Sequence, residues 1–386
     1  MDKKHWHRRT NAVQAGIGSD PAYHAVMPPL YMSSTFAIDG IGHKPAYEYS
    51  RTRNPTRDDL AQALAELEGG VGACVTSSGM AALTLLLHLL GPEDLLVAPY
   101  DCYGRSYRLL CALAEKKHFR LQFADQYSPE GIAAMFEETP KMILIESPSN
   151  PVMRIADIGL IAEKASACGA WTVVDNTFLS PMLQNPLKLG ADMVFHSTTK
   201  FLNGHSDIVG GCVVAGTKEI LTDLEFWANS LGVIGAPFDS YMTLRGMRTL
   251  ELRVHRAQEN AGIIAAQLEA HPSVRKVYYP GLASHTGHEI AAKQQEGFGA
   301  MLSFELEGGI EAVDRFVRAL SVFRLAQSLG GTESLVNHPA TMTHVSMGPE
   351  ARAKAGVTDE LLRLSVGVEH IDDLRQDLEA ALQAAS

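Results

Sequence analysis

Cysteine is scarce in this chain: five in 386 residues, and Cys74, Cys102, Cys111, Cys168 and Cys212 form no CxxC pair. That scatter argues against a disulfide framework or a zinc site and fits reduced thiols in a cytoplasm. Positive charge is also in deficit. Lys and Arg total 33 against 44 Asp and Glu, a net charge of −11. A nucleic-acid backbone calls for a basic face, so nucleic acid is not an expected partner. Long apolar runs are missing as well. The longest, ALTLLLHLL at 82–90, is too short to span a bilayer and contains a histidine, so no membrane partner is expected. The basic start MDKKHWHRR is followed by no apolar run and does not read as a signal peptide. There is no GxxxxGK[ST] loop, no internal repeat and no low-complexity segment.

What remains is an ordinary globular composition, 46% hydrophobic and 20% charged, long enough for two domains. Residues 1–60 are rich in Pro, Tyr, Ser and Arg with little periodic apolar pattern, which suggests an extended arm that packs on something else. From about 70 onward, short apolar runs recur: GACVTS (72–77), DLLVAP (94–99), RLQFAD (120–125), KMILIES (141–147), WTVVDN (171–176), DMVFHS (192–197) and IVGGCVVAG (208–216). Helix-like stretches such as SYRLLCALAEKK (106–117) and IGLIAEKASACG (158–169) separate several of them. Continuous apolar strands alternating with helices predict an α/β domain with a mostly parallel seven-stranded sheet covered on both faces. A long helical region is expected from about Tyr241 to Ala270, followed by a smaller C-terminal α/β domain, with the division near 255.

In an open α/β sheet, ligands sit beyond the carboxyl ends of the strands. Three of these ends carry unusual residues. The first strand runs into TSSGMAAL, where free backbone N–H groups at a helix start suit a phosphate, though an ordinary strand-to-helix turn explains it equally. The fifth ends in VVDNTF, placing Asp175 where a carboxylate needs a partner; a helix cap or ion pair would also serve. The sixth ends in FHSTTK and delivers Lys200, either an amine nucleophile or a lysine snorkelling to the surface. Together they form the set that pyridoxal phosphate needs: a phosphate cradle, a carboxylate for the pyridine nitrogen and an amine for the aldehyde. Tyr103, in DCYGRSY after the second strand, is placed to stack on the ring, and Ser197 and Thr199 can donate to the phosphate. His196, His205 and Asp207 lack a further ligand at metal-like spacing. No metal is expected, and His205 and Asp207 read as ordering the loop after Lys200.

The same segments carry a resemblance. PPLYMSSTF (28–36), YEYSRTRNPTR (47–57), SSGMAAL (77–83), DCYG (101–104), ESPSNP (146–151), VVDNTFLSP (173–181), HSTTKFLNGHSDIVGG (196–211), SLGGTESL (328–335) and LLRLSVGVE (361–369) resemble the Cys/Met-metabolism branch of fold-type-I pyridoxal-phosphate enzymes over nearly the whole chain. Within that branch the chain is most similar to bacterial γ-replacement enzymes. The resemblance implies that Lys200 bonds the cofactor aldehyde and that Asp175 pairs with the pyridine nitrogen. It implies that Tyr103 stacks on the ring and helps in acid–base steps, and that Gly79, Met80, Ser197 and Thr199 bind the phosphate. Tyr49 and Arg51 are implied to reach the phosphate of a neighbouring subunit, so that active-site-sharing dimers form the unit and pair into a homotetramer. For the substrate it implies Arg363 at the α-carboxylate, with Asn150 and Ser328 beside it. Gln327, Arg108, Glu48 and Arg53 are implied toward the distal part. The implied reaction replaces the acyl group of an O-acylated homoserine by the thiol of cysteine, with the reverse type of cleavage, a γ-lyase, as the main rival and a sulfhydrylase behind it. Two positions depart from the family pattern. Gln327 stands where AES before LGG is usual, and Thr52–Arg53 stand where Arg–Gly is usual. Both bear on the distal substrate group.

Overall fold

The computed structural model describes residues 6–386. Seven strands build the larger sheet: β1 Gly72–Thr76, β2 Leu95–Pro99, β3 Arg120–Ala124, β4 Met142–Glu146, β5 Trp171–Asp175, β6 Met193–His196 and β7 Gly211–Ala215. Their order is β1-β7-β6-β5-β4-β2-β3. The β2/β3, β2/β4, β4/β5 and β5/β6 pairs are parallel, and only β7 runs against its neighbours. β2, β4 and β7 are buried at every position, as runs such as LLVAP and MILIE require when helices cover both faces. Parallel running places the carboxyl ends of β1, β2, β4, β5 and β6 on one edge, and that edge holds the site.

A second sheet follows, with order β10-β11-β12-β9-β8. Its strands are β8 Val274–Tyr278, β9 Met301–Leu306, β10 Arg324–Leu325, β11 Leu335–Asn337 and β12 Leu361–Ser365. The helix Gly309–Ala319 packs on it, and the helix Ile371–Ala385 packs against that helix. Arg363 lies in the middle strand β12, opposite Asn337 on one side and Ser303 on the other.

The helical region expected over 241–270 is two helices, Pro237–Met247 and Leu250–Glu269. Three donors converge on the Gly246 carbonyl and draw it out of the helical ladder: Thr249 N at 3.2 Å, Thr249 Oγ1 at 3.1 Å and Arg253 Nη2 at 2.8 Å. The buried Arg253 also donates to the Phe201 carbonyl at 2.7 Å, directly after Lys200. It presses on Gly204, where a Cβ would fall 1.8 Å from its guanidinium. Gly204 sits at φ +75, so both space and backbone demand glycine there. Residue 255 lies inside the helix Leu250–Glu269.

Residues 14–53 are almost devoid of helix or strand, with one bridge between Thr35 and Tyr49. Asn54 then caps the helix Pro55–Glu68 by accepting from Thr56 and Arg57 N–H, and proline opens its first turn. Tyr23, Val26, Met32, Ile38, Ile41 and Tyr49 of this segment are exposed.

Candidate active site

A cavity of about 290 Å³ opens at the carboxyl edge of the large sheet. Residues from both sheets line it. Ser78, Gly79, Met80, Tyr103, Glu146, Asn150, Asp175, Ser197, Thr199 and Lys200 come from the first, and Gln327, Ser328 and Arg363 from the second.

Each residue is placed by its strand. After β1, Ser78 caps the helix Gly79–Leu87 by accepting from Ala81 N–H at 3.0 Å. The N–H groups of Gly79 and Met80 have no acceptor among the described residues, and both line the cavity. Gly79 lies so close to Ser197 that a Cβ would meet the serine Cβ at 2.8 Å, which keeps this end of the cradle open only for glycine. Thr199 is engaged locally, since its hydroxyl donates to the Gly210 carbonyl at 3.2 Å and accepts from Gly210 N–H at 3.0 Å.

Asp175 ends β5 in register with Glu146 at the end of β4. Its Oδ1 accepts from Thr177 N–H at 3.0 Å. Burial pushes its carboxyl up; the hydrogen bonds from Thr177 and the charge of His196 oppose that. Glu146 is pushed well up, first by burial and then by the charge of Asp175. Beneath them His196 Nε2 meets Glu68 Oε1 at 2.6 Å, fully buried. His205 bonds to the Asn203 carbonyl at 2.7 Å, and Asp207 accepts from Asn203 Nδ2 at 2.7 Å. Among the described residues no three His, Cys, Asp or Glu side chains cluster in a way that could hold a metal ion.

Lys200 follows β6 in a turn, and its Nζ donates to Ser328 Oγ at 2.6 Å. Burial, then the nearby charge of Arg363, lowers its amine to about 8. Ser328 holds a left-handed φ of +86, unusual for a residue with a Cβ, and this turns its hydroxyl to the lysine. Arg363 is buried; Nη1 donates to Asn150 Oδ1 at 2.8 Å and Nη2 to the Ser328 carbonyl at 3.0 Å. Its Nε is buried with no partner among the described residues. Burial brings the guanidinium down to about 10.

The structure thus gathers Lys200, Asp175, Tyr103, Gly79, Met80, Ser197, Thr199, Asn150, Gln327, Ser328 and Arg363 around one cavity. Glu48, Tyr49, Arg51, Arg53 and Arg108 do not line it. Arg51 lies on Asn229, donating to its Oδ1 at 2.7 Å, and Arg53 pairs with Asp58 at 2.7 Å. Residues without an assigned role in the sequence also line the cavity: Glu146, Thr177, Phe178 and Thr343. Glu146 carried a readable signal, a carboxylate at the end of the apolar run MILIE, the same signal that marked Asp175.

The residues fit pyridoxal phosphate. Unpartnered N–H groups at a helix start suit a phosphate, a desolvated carboxylate suits the cation of a protonated pyridine, and an amine lowered to about 8 suits an aldehyde. Fold and site together define a pyridoxal-phosphate-dependent enzyme of fold type I. The chain belongs to the Cys/Met metabolism PLP-dependent enzyme family, whose model matches residues 9–383. The cystathionine gamma-synthase of Escherichia coli (strain K12) is 53% identical over 378 residues, 98% of each chain. The cystathionine beta-lyase of Coxiella burnetii (strain RSA 493 / Nine Mile phase I) is 46% identical over 383 residues, 99% of each chain. The crystal structure of cystathionine gamma synthase from Xanthomonas oryzae pv. oryzae, in complex with aminoacrylate and cysteine, superposes with a TM-score of 0.97 at 56% identity over 98% of each chain. Relatives with different reactions on cystathionine thus match end to end.

Proposed function

We propose that this chain is a cystathionine γ-synthase: it exchanges the acyl group of O-succinylhomoserine, or O-acetylhomoserine, for the thiol of cysteine and releases cystathionine. The observation that carries the reading is the link from Lys200 through Ser328 to Arg363, at 2.6 and 3.0 Å. A substrate carboxylate on the Arg363 fork brings its α-carbon to the lysine amine. The similarity to the Escherichia coli and Xanthomonas oryzae synthases supports the synthetic direction.

Pyridoxal phosphate, when bound, supplies an aldehyde for the substrate amine and a cationic ring that stores the electron pair left at the α-carbon. Asp175 would hold the ring nitrogen protonated, and Tyr103 would cover the ring face. Lys200, neutral above about pH 8, takes the α-proton and then moves a β-proton as the γ-carboxylate leaves. Tyr103, which lines the same cavity, would serve as a second acid or base. Gln327 lines the cavity and would offer the distal amino acid a hydrogen bond without a charge. Tyr49 and Arg51 complete the cradle of a neighbouring subunit in a dimer, and two dimers make a tetramer; residues 1–60 are that contacting arm, 61–255 the cofactor domain and 256–386 the C-terminal domain.

Two parallel assays on purified holoenzyme test the reading. In one, O-succinylhomoserine or O-acetylhomoserine with cysteine should yield cystathionine. In the other, cystathionine alone should yield little cysteine and 2-oxobutyrate. Dominance of the second overturns the reading in favour of a γ-lyase, and cystathionine-free turnover with sulfide points to a sulfhydrylase.

A further inference from the structure

Glu146 is the one cavity carboxylate for which the cofactor reading has no use. It ends β4 beside Asp175, almost fully buried, and among the described residues no ion pair holds it, although its charge and that of Arg363 act on each other. A desolvated carboxylate is costly unless its oxygens are occupied. Both are. Oε2 accepts from Tyr103 N–H at 3.0 Å, and Oε1 accepts from Asn150 N–H at 2.9 Å.

The two residues it holds lie 47 positions apart and do different work. Tyr103 opens the helix Gly104–Glu115, and no side chain of that segment caps it; the carboxylate from β4 binds its N–H instead. Asn150 is held on three sides. Its N–H goes to Glu146, its carbonyl meets His344 Nε2 at 3.1 Å, and its side-chain Oδ1 receives Arg363 Nη1 at 2.8 Å. The Tyr103 ring and the Arg363 fork therefore take their places from a single carboxylate.

We propose that Glu146 is the positioning residue of this site, setting the ring-covering Tyr103 and, through Asn150, the carboxylate-binding Arg363. This rests on the roles given to Tyr103 and Arg363 above.

The test uses Glu146→Gln holoenzyme. A glutamine has one acceptor oxygen and turns an N–H₂ toward the second N–H, so one of the two holds is lost and the other is disturbed. Two readouts avoid turnover: the affinity for glycine, an amine and carboxylate with no side chain, read from the cofactor absorbance, and the circular dichroism of the cofactor band. Glycine affinity should fall about tenfold, the size expected for a lost hydrogen bond to a charged group, and the dichroic band should change. Asn150→Ala keeps both backbone N–H groups on Glu146. It should lose glycine affinity while leaving the dichroic band as in the wild type. Wild-type values of either readout in Glu146→Gln overturn the proposal. If that variant yields no holoenzyme, Glu146→Asp is read instead. Its shorter carboxylate reaches only one N–H, and wild-type values in both readouts overturn the proposal equally. Failure of the synthase reading would show instead as a wild-type enzyme that makes no cystathionine, while Glu146→Gln still shows the fall in glycine affinity and the changed dichroic band.

Discussion

The strand-end cluster and the N-terminal segment are both assigned to the same cofactor, yet they are built in opposite ways. Lys200, Asp175, Glu146 and Tyr103 are fixed by a sheet whose neighbours are buried, and each side chain or backbone has a partner inside the chain. Tyr49 is 47% exposed and Arg51 leans on Asn229 at the surface, outside the cavity of their own chain. A strand end places a residue through its own chain. The arm places Tyr49 and Arg51 only if something else arrives to meet them. On the proposed dimer, the difference separates what one subunit would make alone from what it would make in company.

That contrast can be broken first at its strongest point. Lys200→Ala should abolish turnover and the yellow absorbance of the bound cofactor; turnover near the wild-type rate would remove the lysine from the mechanism. Next comes the arm. Arg51→Ala and Lys200→Ala subunits, each inactive alone, should regain activity when unfolded and refolded together, because a mixed dimer holds one site free of both changes. No recovery in the mixture would return Arg51 to its own chain. A smaller effect concerns pH. The Lys200 amine is neutral and nucleophilic above its lowered value, so cofactor capture by the apoprotein should accelerate as pH rises through about 8. A rise centred near the ordinary lysine value of 10.5 in the rate of absorbance recovery would show that burial and Arg363 do not act on it. The smallest is Gln327→Glu, which adds a charge at the exposed end of the cavity. It should lower KM for cysteine or cystathionine about two- to fivefold, the range of an exposed ion pair, and an unchanged or higher KM for both would contradict the placement of that residue.

Much of the large sheet was legible because its strands are short, continuously apolar and ended by a polar residue that is expensive to bury. Asp175 in VVDN and Lys200 in STTK stand out by that rule, and the structure brings them to one cavity. Glu146 in LIES obeys the same rule and was passed over, because its partners are backbone N–H groups that no side-chain pattern announces. Arg363 is a different case. It sits inside the apolar run LLRLS of the other sheet, and its meeting with Asn150 spans 213 positions. Periodicity is a local property and says nothing about such a meeting; only the resemblance of LLRLSVGVE to a family pattern brought it forward. The helical stretch after Tyr241 erred for a related reason. Its break at Arg248–Thr249 is made by donors gathering on one carbonyl, one of them from Arg253, and the apolar pattern runs through the break undisturbed.

Arg253 carries one more consequence, for anyone who wishes to take the protein apart. Its guanidinium ties the helix Leu250–Glu269 to the carbonyl of Phe201, the residue next to the lysine. A fragment ended at 255 would keep Arg253 but cut its helix before the second turn is complete, leaving the clamp on a stub too short to hold helical shape by itself. The cofactor half is therefore not separable at that point. Minimal versions of it need the helix through Glu269, and limited digestion of the intact chain should spare this stretch.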